Sequence, residues 1–180
     1  MKTFALSTIV LMLLFAGTAS AQDGASGGVV LGFGVLGAVP MGDFADVSSF
    51  GFGGTATFGY LVSPDVMITG RSGYARFSGK DFFDGVAFSF IPVLAGVKAF
   101  FTEGEMRVYG AGEGGLFIIS SDAAGSESSS EFGVVPTLGA QFKAGDKMNV
   151  DVNANLTNIF SEGSSTSWVG FGIGLEFLVN

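Results

Sequence analysis

The stretch Met148-Asn149-Val150-Asp151-Val152-Asn153-Ala154-Asn155-Leu156-Thr157 sets apolar and polar side chains in strict alternation. Successive side chains of a β-strand point to opposite faces, so a period of two predicts a strand with one apolar and one polar face. Asn149, Asp151, Asn153, Asn155 and Thr157 share the polar face. Met148, Val150, Val152, Ala154 and Leu156 share the other.

Working outward, the same pattern returns on both sides. Toward the C-terminus, Val169, Phe171, Ile173, Leu175, Phe177 and Val179 oppose Trp168, Gly170, Gly172, Gly174 and Glu176. Toward the N-terminus, Val134, Pro136, Leu138, Ala140 and Phe142 oppose Gly133, Val135, Thr137, Gly139, Gln141 and Lys143. Proline cannot donate to a sheet ladder, so Pro136 predicts a bulge. Over the whole chain the strand candidates are Gly28–Val39, Phe52–Val62, Val66–Ser78, Val86–Phe101, Met106–Ser120, Phe132–Ala144, Met148–Phe160 and Ser167–Val179. The fourth alternates poorly, and Pro92 and Lys98 leave its facing open.

The connections fall into two classes. Ser63-Pro64-Asp65, Thr102-Glu103-Gly104-Glu105 and Gly145-Asp146-Lys147 read as tight turns. Pro40 to Gly51, Gly79 to Gly85, Ser121 to Glu131 and Ser161 to Thr166 read as longer loops. Short and long alternate, so an even strand count puts the turns and both termini at one end. Short periplasmic turns and longer extracellular loops characterise outer-membrane barrels, whose single-chain forms begin at eight strands. The expected fold is all-β: a single closed antiparallel up-and-down transmembrane β-barrel of about eight strands. Closure satisfies every backbone N–H and C=O, which lipid cannot do.

Composition supports a lipid-contacting wall. Charged residues make up 13% of the chain, against about 25% in an ordinary soluble domain. A soluble lipocalin-like binding barrel in the periplasm would alternate too, with its apolar face inward. Its outer face would carry Lys and Glu. Here the polar face is mostly Gly, Asn, Thr and Ser, which suits a narrow lumen. Aromatics gather near both strand ends: Tyr60, Phe100, Phe101, Tyr109, Phe142 and Phe177 at one, Phe52, Phe77, Phe88, Phe132, Phe160 and Trp168 at the other. They suggest two interfacial girdles.

The N-terminus reads Met1-Lys2-Thr3, an apolar run from Phe4 to Ala16, then small residues ending Ala19-Ser20-Ala21. This is the pattern of a secretory signal peptide, too short for a spanning helix. The expected division is a signal peptide over 1–21, directing Sec export, and a barrel domain over 22–180.

Chemistry is bounded by absences. The chain has no Cys and no His, and a net charge of −8. Disulfides, imidazole metal sites and Ser-His-Asp catalysis are excluded, and the acidic balance opposes nucleic-acid binding. Neither Gly32-x-Gly34 nor Gly110-x-Gly112 precedes a helix, so neither reads as a nucleotide loop. No catalytic residue, metal site or cofactor is expected, and a monomer is.

Val39-Pro40-Met41-Gly42-Asp43-Phe44 with Gly51-Phe52-Gly53 resembles the first loop of small outer-membrane β-barrel domain proteins, of the OmpA-like and OmpX-like type. Phe90-Ile91-Pro92-Val93-Leu94-Ala95-Gly96-Val97-Lys98 is similar to their central strand, and Val108-Tyr109-Gly110-Ala111-Gly112-Glu113-Gly114-Gly115 to the next. The resemblance implies an eight-stranded barrel in outer-membrane lipid or lipopolysaccharide. It also implies assembly through periplasmic chaperones and the barrel-assembly machinery. It assigns no activity. Such barrels usually end in an aromatic residue used in assembly, whereas this chain ends Phe177-Leu178-Val179-Asn180.

If the polar faces point inward, Arg71, Glu113, Lys143, Asp151 and Glu176 meet in the lumen, with Arg107 and Lys98 as weaker candidates. Charges there must be paired or hydrated. The expected outcome is an ion-pair network filling the barrel, with a gated ion or proton path as the alternative. An eight-stranded lumen is just wide enough for side chains. The loop carboxylates Asp43 and Asp46, Asp81 and Asp84, and Asp122, Glu127 and Glu131 could bind hard cations but show no EF-hand spacing; solvated loops are the expectation. The expected role is structural or interactive, through acidic, polar extracellular loops. A small-solute conduit or carrier is the alternative.

Overall fold

A computed structural model of the chain describes residues 27–80, 85–123 and 128–179. The expected signal peptide and the loop residues Asp81, Asp84 and Glu127 lie outside the described residues. Eight strands follow in chain order: β1 (Val29–Met41), β2 (Ser48–Ser63), β3 (Val66–Gly79), β4 (Ala87–Phe100), β5 (Met106–Ser121), β6 (Ser129–Lys143), β7 (Met148–Ser161) and β8 (Ser164–Val179). Each pairs antiparallel with the next. β1 also pairs with β8, from Val29↔Val179 to Met41↔Ser167, which closes the barrel.

The pleat sorts side chains as the alternation predicts, and exposure tells which face is outside. Phe33, Val35, Leu138, Phe171 and Ile173 are all more than half exposed on the outer wall. Asp151, Asn155, Thr157 and Glu176 are buried inside. A barrel made for water has the opposite polarity, so the soluble lipocalin-like alternative fails on this observation. β4 is now assigned: Phe90, Leu94, Lys98 and Phe100 are buried, while Ile91, Val93 and Val97 are exposed. Its alternation was weak because its inward residues are themselves apolar over most of its length.

Four features differ from the sequence-based expectation. The Ser161–Thr166 segment is not a long loop: Ser161 pairs with Ser164, and Glu162-Gly163 alone makes the turn. Gly163 takes φ 78°, a left-handed value that a side chain disfavours. Ser and Thr, read as loop residues, extend this hairpin because they pair with one another and with Asn158, Ile159 and Phe160.

Pro136 causes no bulge. It points outward, and its pairing with β7 lapses between Val134↔Asn158 and Thr137↔Asn155 with the register unchanged. The wall loses local bonds there without gaining a residue. β3 and β4 part in the same way beside Pro92. The register shifts lie instead in the β2–β3 pair, between Ser48 and Gly51 and between Leu61 and Ser63.

The first loop contains a short helix, α1 (Asp43–Val47), which buries Phe44. Finally, the girdles are only partly girdles. Phe52, Phe101, Phe132, Phe142, Phe160 and Phe177 face outward, but Phe77, Phe100, Tyr109 and Trp168 are buried in the lumen, and Phe88 packs against the buried cluster. Nearness to a strand end does not fix which face a residue takes; its parity along the strand does.

Small residues make room for large ones within the lumen. A Cβ on Gly139 would lie 2.5 Å from the Tyr109 ring, and one on Gly51 2.5 Å from that of Phe77. Overpacking of this kind costs about 1–3 kcal/mol. Gly139→Val is therefore expected to lower the unfolding midpoint of the refolded barrel by a matching amount, measured by heat-dependent gel mobility; outward-facing Gly112, with open space around it, is expected to accept Ala with little change.

Candidate functional site

The lumen is filled in three layers. At the end bearing the tight turns, Val30, Met67, Phe100 and Tyr109 form an apolar floor, with Leu61, Ala111 and Leu178 packed against it. Arg107 lies at this rim. Its guanidinium stacks 3.7 Å from the Phe100 ring, donates to the Pro64 carbonyl and pairs with Asp65 at 3.6 Å.

The charged layer sits above the floor, and all but one of its bonds skip strands. Lys98 Nζ on β4 donates to Glu176 Oε1 on β8 at 2.6 Å and lies 3.6 Å from Asp151 Oδ2 on β7. β4 and β8 stand four apart in a ring of eight, so this bond ties opposite walls. The Lys98 ammonium also sits 4.2 Å from the centre of the Tyr109 ring, within the range of a cation–π contact. Gln141 Nε2 donates to the second oxygen of Glu176 at 2.5 Å. Arg71 Nη2 pairs with Glu113 Oε2 at 2.5 Å, and Thr69 donates to Glu113 Oε1 at 3.0 Å. Tyr109 Oη at 3.1 Å and Asn153 Nδ2 at 2.7 Å both donate to Asp151 Oδ1.

Four of the residues singled out from sequence thus lie in one layer: Arg71 pairs with Glu113, Asp151 and Glu176 gather around Lys98, and all four border the same cavity. Lys143 does not join them: it is half exposed at the rim, 4.0 Å from Asp146. The exit of β6 into its turn carries it clear of the lumen. Lys98, a weaker candidate, takes the central place. Thr69, Tyr109 and Gln141 were missed. Their inward parity was legible, but a neutral side chain is no signal without knowledge of its neighbours.

Above the ions lies an aromatic layer. Phe77, Phe90, Phe117 and Trp168 converge with Leu94, Val135 and Ile159. Phe44, carried in by α1, meets Phe77, Phe90 and Trp168 at ring-centre distances of 5.1, 5.7 and 6.3 Å. The Phe77 and Phe90 contacts are edge-to-face, and such pairs contribute about 0.5–1.5 kcal/mol each beyond area burial. Lys80 holds α1 down through its ammonium on the Ala45 carbonyl and its N–H on the Val47 carbonyl. Between the layers are cavities of about 70 Å³, bordered by Arg71, Lys98, Asp151 and Glu113, and about 30 Å³, bordered by Pro92, Phe117 and Trp168.

Such an interior can brace walls, hold fixed charge and hydrate it. It offers no imidazole or thiol for nucleophilic chemistry.

No family model and no curated protein sequence matches the chain. Solved structures do. Neisserial surface protein A is 15% identical, with 84% of this chain and 97% of that one covered at a TM-score of 0.70. The attachment invasion locus protein of Yersinia pestis is 16% identical, with 86% and 99% covered at 0.62. The outer membrane protein OprG from Pseudomonas aeruginosa is 11% identical, with 89% and 100% covered at 0.58. The chain has the fold of these small outer-membrane barrels.

Removing one partner of a buried ion pair strands the other, at a cost of about 3–5 kcal/mol. Lys98→Met is expected to destabilise the barrel on that scale in urea unfolding, and adding Glu176→Gln is expected to recover much of the loss.

Proposed function

We propose, on the premise of this shared fold, that the chain is a non-enzymatic protein of the outer membrane whose lumen is sealed and whose work is done by its exposed loops. One observation carries the reading: an apolar outer wall surrounds an interior filled by an aromatic layer, an ion network and an apolar floor. The wall asks for lipid and the filling leaves no open pore. What remains accessible is the loop end, with the outer side of α1 and the hairpin tips.

The wall's surroundings would be outer-membrane lipid and lipopolysaccharide. Delivery there would follow Sec export, periplasmic chaperones and the barrel-assembly machinery. The role itself would be structural or adhesive, as a monomer. The carboxylates Asp43, Asp46, Asp122 and Glu131 give the loop end an acidic character. A conduit for small solutes is the weaker reading, because Trp168, Phe77 and Phe90 are each at most 2% exposed across the loop-end part of the path.

In a planar bilayer the purified protein is expected to give no steady conductance; a stable open current would overturn the sealed reading. A cation on the lipid face of a barrel costs about 2–4 kcal/mol near the membrane midplane. Ile173→Lys, near the middle of β8, is expected to lose that much stability in lipid vesicles, whereas Ser165→Lys at the loop end is expected to lose almost none.

A further inference from the structure

The charged layer does not balance. Lys98 and Arg71 supply two positive charges, and Glu113, Asp151 and Glu176 supply three negative ones. Lys98, Glu113, Asp151 and Glu176 are all less than 9% exposed. Of the other cations at this end, Arg107 pairs with Asp65, Lys143 lies beside Asp146, and Lys147 is exposed in its turn, away from the lumen. A net charge enclosed among low-dielectric walls is costly unless something compensates it.

Two further observations point to where compensation would sit. Of the six carboxylate oxygens, four accept a hydrogen bond and Glu113 Oε2 is ion-paired with Arg71; Asp151 Oδ2 accepts none, its nearest cation being Lys98 at 3.6 Å. Thr137 Oγ1, on a residue 8% exposed, is also without a partner. Both residues border the same cavity, of about 70 Å³, together with Asn153, Asn155, Thr55 and Thr57. A space of roughly 10–15 Å³ by this measure holds one water, so the cavity admits an ion with several waters. Its uncharged lining is rich in hydroxyl and amide oxygens, the donors that hard cations prefer. Among the described residues no group of three or more Asp or Glu side chains is placed to hold a metal ion, and a single excess negative charge matches a monovalent one.

We infer that the lumen takes up one monovalent alkali cation, held beside Asp151 Oδ2 with part of its water shell. The ion neutralises the layer, and the layer's stability then depends on the salt around it. This goes beyond the sealed-barrel reading and does not rest on the loops having a role.

The test uses the purified, refolded protein in a non-ionic detergent. Thermal unfolding is followed by heat-dependent gel mobility in NaCl, KCl or N-methyl-D-glucamine chloride, at constant pH and ionic strength. The unfolding midpoint is expected to rise saturably with sodium or potassium and to stay lower in the bulky cation. Asp151→Asn leaves two positive charges facing two carboxylates, and its amide oxygen still accepts from Tyr109 and Asn153. That variant is expected to lose the alkali-ion dependence and to unfold in the bulky cation no earlier than the parent. Thr137→Val keeps every charge and removes one oxygen, so it is expected to raise the half-saturating ion concentration several-fold. Sodium NMR of the parent is expected to show line broadening relieved by Asp151→Asn. Identical midpoints in the three salts would overturn the inference. So would an undiminished alkali response in Asp151→Asn, or a failure of that variant to refold, since it is the charge-balanced one.

Discussion

A strand with apolar side chains on its outer face and no water beside it can satisfy its backbone only from neighbouring strands. With eight strands the sheet has no spare edge to leave open, so β1 must meet β8. Everything inside follows from that closure. The ring's diameter is set by strand number, and at eight it leaves space for side chains and little more. Each inward residue is therefore chosen against those on facing walls as well as those beside it.

That geometry explains the order of the layers. Where the ring is lined by small residues such as Gly139, a large ring from a strand nearby lies over the gap. Where charges enter, they reach across, Lys98 on β4 to Glu176 on β8 and Arg71 on β3 to Glu113 on β5. The Lys98–Glu176 bond spans facing walls and is shielded above by aromatic rings and below by the apolar floor. In such shielded surroundings an ion pair resists screening by salt, and an unpaired charge is correspondingly costly.

Much of this was legible in the residue order. β7 and β8 declare their faces through alternating polarity, and the inward direction of Arg71, Glu113, Asp151 and Glu176 follows from parity along their strands. What escaped had no period to read. Phe44 lies in a connection, and only the fold shows that α1 turns it into the lumen. Lys98 sits in a strand whose two faces are both largely apolar, so its orientation needed the neighbours' register. The Ser-rich tip between β7 and β8 has loop composition, yet its residues find each other as partners. Pro136 could be seen to lack a donor, but whether a ladder then slips or merely skips is settled by the strands on either side. The resemblance to small outer-membrane barrels held at the level of the fold.

The seam between β1 and β8 has a consequence for the order of events in folding. Its thirteen paired positions join residues from the two ends of the barrel, Val29 with Val179 among them. Closing a loop of that size carries a large entropic cost that no local contact can offset early. Hairpins can form as the chain emerges, but the seam cannot exist until β8 is present. Glu176 belongs to β8, so Lys98 has its main partner only after the last strand arrives. Until then β1 and β7 are open edges and the central ammonium is still in contact with water. The barrel is thus zipped by its final sixteen-residue strand, and the filled interior is an outcome of closure, not a nucleus for it.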